Sequence, residues 1–233
     1  VESRPAFTLV ELLVVIAILA ILAGVLVPTL AGAREAGRTT RCLLNLRQSA
    51  VICSLYADDH QGRGPALGVP YAALPNWALV VLDGAGRAGD GAEMYGETTV
   101  LVCPTSRARS GEVLTRTYAM NATGHARDRA DPLRAEDPDH YDEAPAHIRF
   151  DVVDAARVGP LLVDSAAAPP APGSPPPSRT ASVLDFRQVP HVTGRIARIH
   201  ARRSVNHAGF DGSAGATVSP TGAVPGWWAK PLP

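Results

Sequence analysis

The chain's most polarised pattern comes first. From Leu12 to Ala33 no side chain is charged, and one carboxylate, Glu11, stands just ahead of that apolar run. As a helix this stretch is ~33 Å long at ~1.5 Å per residue, enough for a hydrocarbon core of ~30 Å. Past Pro28 the pattern becomes a stripe at 3-4 spacing, Leu43, Leu46, Ala50, Cys53 and Ala57, with Arg47, Gln48 and Ser49 on the other faces. One helix from about Thr8 to Tyr56 is predicted, membrane-spanning over 7–33 and amphipathic over 34–57, with its stripe on a sheet. Pro28 removes a backbone donor and should bend or loosen it. Gly62 and Pro65 in "DDHQGRGP" end it.

After residue 58 the pattern breaks into short pieces. Tyr71–Leu82 reads as a short core-covering helix, and 98–104, "TTVLVCP", as a strand or extended segment. A weak strand follows at 115–121 and a buried strand at 158–164. Residues 125–147 are charged and without period, hence a loop. The Pro/Ala/Ser-rich stretch 166–182 reads as an exposed insertion. Asp211-Gly212 lies between the extended runs 204–210 and 213–218, which predicts a hairpin with a two-residue type I′ turn. The expected class is α+β, a long N-terminal helix packed on a small antiparallel sheet head.

Glu11 is what needs explaining. A secretory signal peptide fits Arg4 and the small-x-small Ala31-Gly32-Ala33, but its apolar core is usually ~7–15 residues. A plain anchor explains the length but not the acid, since a carboxylate at the centre of a span costs ~2.5–3.5 kcal/mol. A carboxylate at such depth needs a partner. Cleavage after Ala6 would leave a positive amine on Phe7, one helical turn before Glu11 and within reach of a neighbour's Glu11 in an assembly.

These residues, Ala6-Phe7-Thr8-Leu9-Val10-Glu11 ahead of the apolar helix with Pro28, resemble the class III signal of type IV pilins and type II secretion pseudopilins. The resemblance implies cleavage between Ala6 and Phe7 by prepilin peptidase, N-methylation of Phe7, and a docking role for Glu11. Ala6 stands where the family usually has Gly. It also implies a six-residue leader (1–6) and a head (58–233) outside the bacterial inner membrane, in the periplasm. The implied partners are other pilin or pseudopilin subunits and an inner-membrane assembly platform. Positive-inside counting alone, with Arg34, Arg38, Arg41 and Arg47 after the span, places the head in the cytoplasm, against the resemblance.

The head carries a second resemblance. "Cys42-Leu-Leu-Asn45-Leu46", "Asn76-Trp77", "Val102-Cys103-Pro104", "Tyr118-Ala-Met-Asn121", "Leu162-Val-Asp164-Ser165" and Asp211-Gly212 are similar in order to a pilin-like subgroup with a C-terminal H-x9-DG element. His200 precedes Asp211 by one residue more than that spacing.

Three cysteines give one disulfide and one thiol in an oxidising compartment. Cys42 and Cys53 lie on nearly the same helix face but ~16 Å apart, too far to bridge. Cys103 is expected to pair with one of them, the alternative being buried thiols with no bridge. The family pattern favours Cys42, and position deeper in the head favours Cys53.

Composition narrows the function. With 22 basic and 22 acidic side chains in 233 residues, no charge footprint points to nucleic acid. No nucleophile elbow, HExxH or Walker loop is present, so no enzymatic activity and no cofactor is expected. The cluster Glu136 to Glu143 with His140 and His147 has oxygen ligands that calcium would accept, but the spacing is not an EF-hand and a solvated loop is expected. The Gly-rich 83–93 reads as a connector, His200 as a residue bonded beside the hairpin, and Trp227 and Trp228 as core packing. The expected function is a structural subunit, minor because its loops would crowd a dense fibre. The alternative is an exported or anchored binding protein or enzyme that uses the segment only for targeting.

Overall fold

The computed structural model describes residues 8–67, 76–89, 91–110, 113–123, 147–153, 159–166, 179–186 and 189–218. The chain divides into two compact units, Val1–Arg38 and Thr39–Pro233.

Helix α1 (Leu9–Asp59) is continuous and runs through Pro28. Pro28 cannot donate to the carbonyl four residues back. The next residue supplies a local bond, from Thr29 Oγ1 to the Leu26 carbonyl at 2.8 Å. The apolar side chains from Leu9 to Leu30 are exposed, whereas Cys42, Asn45, Leu46, Ser49, Ala50, Cys53 and Ala57 are buried. Leu46, Ala50, Cys53 and Ala57 of the expected stripe are the packed face, but Leu43 is only half-buried. Ser49, expected on another face, is buried and donates to the Asn45 carbonyl at 2.8 Å, while Asn45 donates to the Val102 carbonyl at 3.0 Å. α1 ends in a Schellman turn. Gln61 takes φ 59°, and the Gly62 N–H returns to the Ala57 carbonyl at 2.8 Å.

In the second unit a five-stranded sheet has the order β3-β1-β2-β4-β5, made of β1 (Tyr118–Asn121), β2 (Leu162–Asp164), β3 (Val183–Leu184), β4 (Ser204–Ala208) and β5 (Ala214–Val218). Three pairings are antiparallel and β1 with β3 is parallel, so the sheet is mixed rather than purely antiparallel. Alternation along the strands sorts the side chains onto two faces. Tyr118, Met120, Leu162 and Ala208 join Cys42, Leu46, Ala50 and Cys53 of α1 in the larger core cluster. Ala119, Val163 and Val205 face the other way, into a smaller cluster with Leu184, Val192 and Ile196. The short helix α2 (Trp77–Gly84) adds Trp77, Ala78, Val81 and Leu82 to the first core, α3 (Pro104–Ser110) follows directly on Cys103 of that core, and α4 (Val189–Gly194) places Val192 in the second cluster. Trp77 is fully buried and donates from Nε1 to the Ser182 carbonyl at 3.1 Å. Burying a large apolar side chain stabilises by ~1.5–3 kcal/mol, so packing, rather than helix propensity, fixes residues 42–57 in place.

Several expected elements differ. Residues 98–101 form turns and Pro104 opens a helix, so no strand runs through Cys103. Proline has no N–H for a ladder and suits the first helical position. The Cys103 N–H instead goes to Thr117 Oγ1 at 2.7 Å. Both of the strands expected next are shorter than expected, Tyr118–Asn121 and the buried Leu162–Asp164. The exposed stretch 166–182 ends earlier than expected: Thr180 is buried, and the Ser182 carbonyl accepts the Met120 N–H at 2.9 Å.

The hairpin is present, but its loop is not the two-residue type I′ turn. Gly209 and Ser213 are still paired, leaving the three residues Phe210, Asp211 and Gly212 to turn. Of these only Gly212 has positive φ, at 74°, as in a type I turn followed by a left-handed glycine. Asp211 stays right-handed and caps the turn by accepting the Ser213 N–H at 2.9 Å.

Candidate functional site

Two constellations stand out, one in each unit. The first is the start of α1. Thr8 precedes the helix and Glu11 is its third residue. Oε2 of Glu11 accepts the Thr8 backbone N–H at 2.9 Å and the Thr8 hydroxyl at 2.6 Å, and the Glu11 N–H approaches Thr8 Oγ1 at 3.3 Å. This is a capping box, Thr-x-x-Glu, in which each residue satisfies a backbone donor of the other. The signal was legible in Thr8-Leu9-Val10-Glu11 and is a second use for the acid that carboxylate depth alone does not suggest. Ala6 and Phe7 lie outside the described residues. Beyond the cap the helix presents apolar side chains on all sides, with Leu9 at 77% and Ile21 at 70% exposure. Among the described residues α1 is the one helix long and apolar enough to cross a membrane.

The second constellation is buried in the head, on the α1 face of the sheet. Cys42 of α1 is bonded to Cys103, with Cα atoms 4.8 Å apart, and Cys53 is a buried free thiol. Burial pushes the Cys53 thiol up to about 12, so it stays protonated. The Tyr118 hydroxyl donates to the Cys42 carbonyl at 3.3 Å, and burial, with Asp164 nearby, raises its pKa well above that of a free phenol.

His200 lies against the disulfide. Its Nε2 is 3.7 Å from Cys103 Sγ, 2.9 Å from Asp164 Oδ2 and 2.9 Å from Asn206 Nδ2, while Nδ1 faces Thr39 Oγ1 at 3.3 Å. Asp164 ends β2, and its Oδ2 also accepts the Asn206 backbone N–H at 2.9 Å. Burial raises the Asp164 pKa, opposed by the hydrogen bond and charge of His200 and by the Asn206 N–H. Asp164 and Asn206 were not expected beside His200. Their positions follow from alternation: Asp164 shares a face with Leu162, and Asn206 with Ala208. His207 alternates to the opposite face, where Nε2 meets Thr217 Oγ1 at 2.8 Å.

Asp211 and Gly212 serve the hairpin loop, where a Cβ on Gly212 would lie 3.1 Å from Val51 Cγ2. The acidic cluster 136–143, most of the Pro-rich stretch and Trp227 and Trp228 lie outside the described residues.

Residues 4–27 match the family model for the prokaryotic N-terminal methylation motif. No curated protein and no solved structure matches the chain.

Proposed function

We propose that this chain, type IV pilin-like through its prepilin-type N-terminal motif, is a structural and minor subunit of a pilus or secretion pseudopilus. Prepilin peptidase cuts between Ala6 and Phe7, Phe7 is N-methylated, and the mature helix joins those of other subunits at an inner-membrane platform. The head then lies in the periplasm or on a surface filament. In this reading the chain is not an enzyme and needs no cofactor.

The observation that carries the reading is the union of two features in one helix. Its first turns present apolar side chains on every side, as suits both lipid and a bundle of like helices, and Glu11 sits at their entrance. Burying such a surface among neighbours supplies cohesion without direction. A carboxylate pairing with a neighbour's Phe7 amine would supply register, because a misplaced pair leaves two charges unpartnered in a low-dielectric core. Docking would exchange the Thr8 hydroxyl for that amine at Oε2, so the capping box holds the carboxylate satisfied in the unassembled subunit.

The test is Glu11→Ala in the full chain, followed through membrane fractionation and filament preparation. The expected result is normal membrane insertion and cleavage with loss of the subunit from filaments. Normal incorporation of the variant would remove the docking role of Glu11. A head active or assembled without residues 7–11 would favour the targeting-only alternative.

A further inference from the structure

The polar groups around His200 exceed what hydrogen bonding among them can satisfy. A ring nitrogen has one hydrogen or one lone pair, yet Nε2 is approached by Asp164 Oδ2, Asn206 Nδ2 and Cys103 Sγ. If Nε2 donates to Asp164, the Asn206 amide hydrogen has no acceptor there. If it accepts from Asn206, the carboxylate loses its ring partner. Asp164 Oδ1 and Asn206 Oδ1 are both buried without a hydrogen-bond partner. Exchanging the two ends of the Asn206 amide moves that deficit to its NH2 group without removing it. Buried polar atoms left this way are uncommon and costly.

A cation would use the same groups. Sγ of Cys42, Sγ of Cys103 and the ligand nitrogen of His200 all lie within 4.8 Å of one another, and all three residues are buried. Tetrahedral zinc with Zn–S of about 2.3 Å and Zn–N of about 2.0 Å sets an S···N edge of about 3.5 Å. The Cys103 Sγ to His200 Nε2 distance is 3.7 Å. Asp164 Oδ2, 2.9 Å from the same nitrogen, is the nearest oxygen for a fourth position. Thr39 at Nδ1 fixes the ring so that Nε2 faces the sulfurs, as the outer partner of a metal-bound histidine does. Two thiolates and an imidazole favour zinc over calcium or magnesium.

We propose that Cys42, Cys103 and His200, with Asp164 beside them, form a zinc-class metal site that is closed while the cysteines are joined and opens when they are reduced. Reduction by a dithiol breaks the S–S bond: two electrons and two protons pass to the sulfurs and the dithiol becomes a disulfide. Zinc then displaces one proton from each thiol to solvent and forms two Zn–S bonds, with His200 giving its Nε2 lone pair. The disulfide and the metal are thus alternative cross-links between α1 and the segment before α3. Which one forms is set by the redox state the head meets as it folds. This site is independent of the assembly role of α1.

The experiment uses the full chain in detergent, reduced with a phosphine under anaerobic conditions and titrated with Co2+ as a spectroscopic probe. One Co2+ per chain is expected, with thiolate-to-cobalt charge-transfer bands, tetrahedral visible bands, and displacement by zinc. The oxidised chain should show neither set of bands. Zinc should protect Cys42 and Cys103 of the reduced chain from alkylation in peptide mapping, and Asp164→Asn should weaken Co2+ binding about 10–100-fold. Absence of these bands in the reduced chain, equal bands in the oxidised chain, or equal alkylation of Cys42 and Cys103 with and without zinc overturns the proposal. So does a reduced chain that loses its far-UV circular dichroism and does not regain it with zinc.

Discussion

Oε2 of Glu11 accepts the Thr8 backbone N–H at 2.9 Å and the Thr8 hydroxyl at 2.6 Å. One carboxylate thus has two candidate roles, ending the helix within its own chain and pairing with a neighbour's amine. The roles separate by mutation. Thr8→Ala removes the hydroxyl but keeps the acid, and should fray the helix start by about 1 kcal/mol while leaving filament incorporation substantial. Glu11→Ala loses both roles and should abolish incorporation. Equal incorporation defects for the two variants, measured in sheared filament fractions, would mean that capping is the whole role of Glu11.

The Cys42–Cys103 bond closes a long loop, with 61 residues of sequence separation. Constraining a loop of that length in the unfolded chain is worth about 4 kcal/mol in the chain-entropy account. The double variant Cys42→Ser/Cys103→Ser should therefore lose about 2–4 kcal/mol in urea unfolding, with a steeper transition, because the unfolded chain without the cross-link exposes more surface. A loss under about 0.5 kcal/mol would show that burial alone holds α1 to the sheet.

Cys53 should be silent to thiol reagents. Its side chain is buried and its pKa is pushed up to about 12, so almost no thiolate is present near neutral pH. Maleimide should label no site in the native oxidised chain, and Cys53 alone after denaturation without reductant. Rapid native labelling would place Cys53 at the surface.

His207 is half-buried, and burial lowers its pKa below the ordinary 6.5. The unfolded chain therefore takes up a proton at His207 at higher pH than the folded chain does. The stability this residue contributes is present above about pH 6.5 and is lost as pH falls through that value toward the folded pKa. The melting temperature should drop on acidification over that range, and His207→Gln should flatten the drop. An identical pH profile in the variant would assign the effect to other groups.

Gly212 combines φ 74° with a Cβ position 3.1 Å from Val51 Cγ2. Gly212→Ala should cost about 1–2 kcal/mol from the left-handed backbone alone. An unchanged unfolding midpoint would mean that the loop rearranges freely.

What could be read from sequence tracks how local each signal is. The apolar run, the 3-4 stripe through Ala57 and the Gly62 stop each sit within a few residues, and α1 follows from them. The Asp-Gly signal located the hairpin but not its loop, because the Gly209–Ser213 pair leaves Phe210 inside the turn. The segment before Cys103 has the β-branched composition of a strand, yet Leu101 and Val102 are buried without a ladder and Pro104 starts a helix. β3 has two residues, and its parallel partner β1 is about sixty positions away, so no local period marks it. The cluster around His200 draws on positions 39, 42, 103, 164 and 206, which only the sheet register brings together.

The central claim, that this helix is made by prepilin processing for assembly, is tested most directly by intact N-terminal mass spectrometry on protein purified from membranes. The account predicts a chain that begins at N-methylated Phe7. A chain that begins at Arg34, as after removal of an ordinary secretory signal, would contradict it and leave Glu11 without a part in the mature protein.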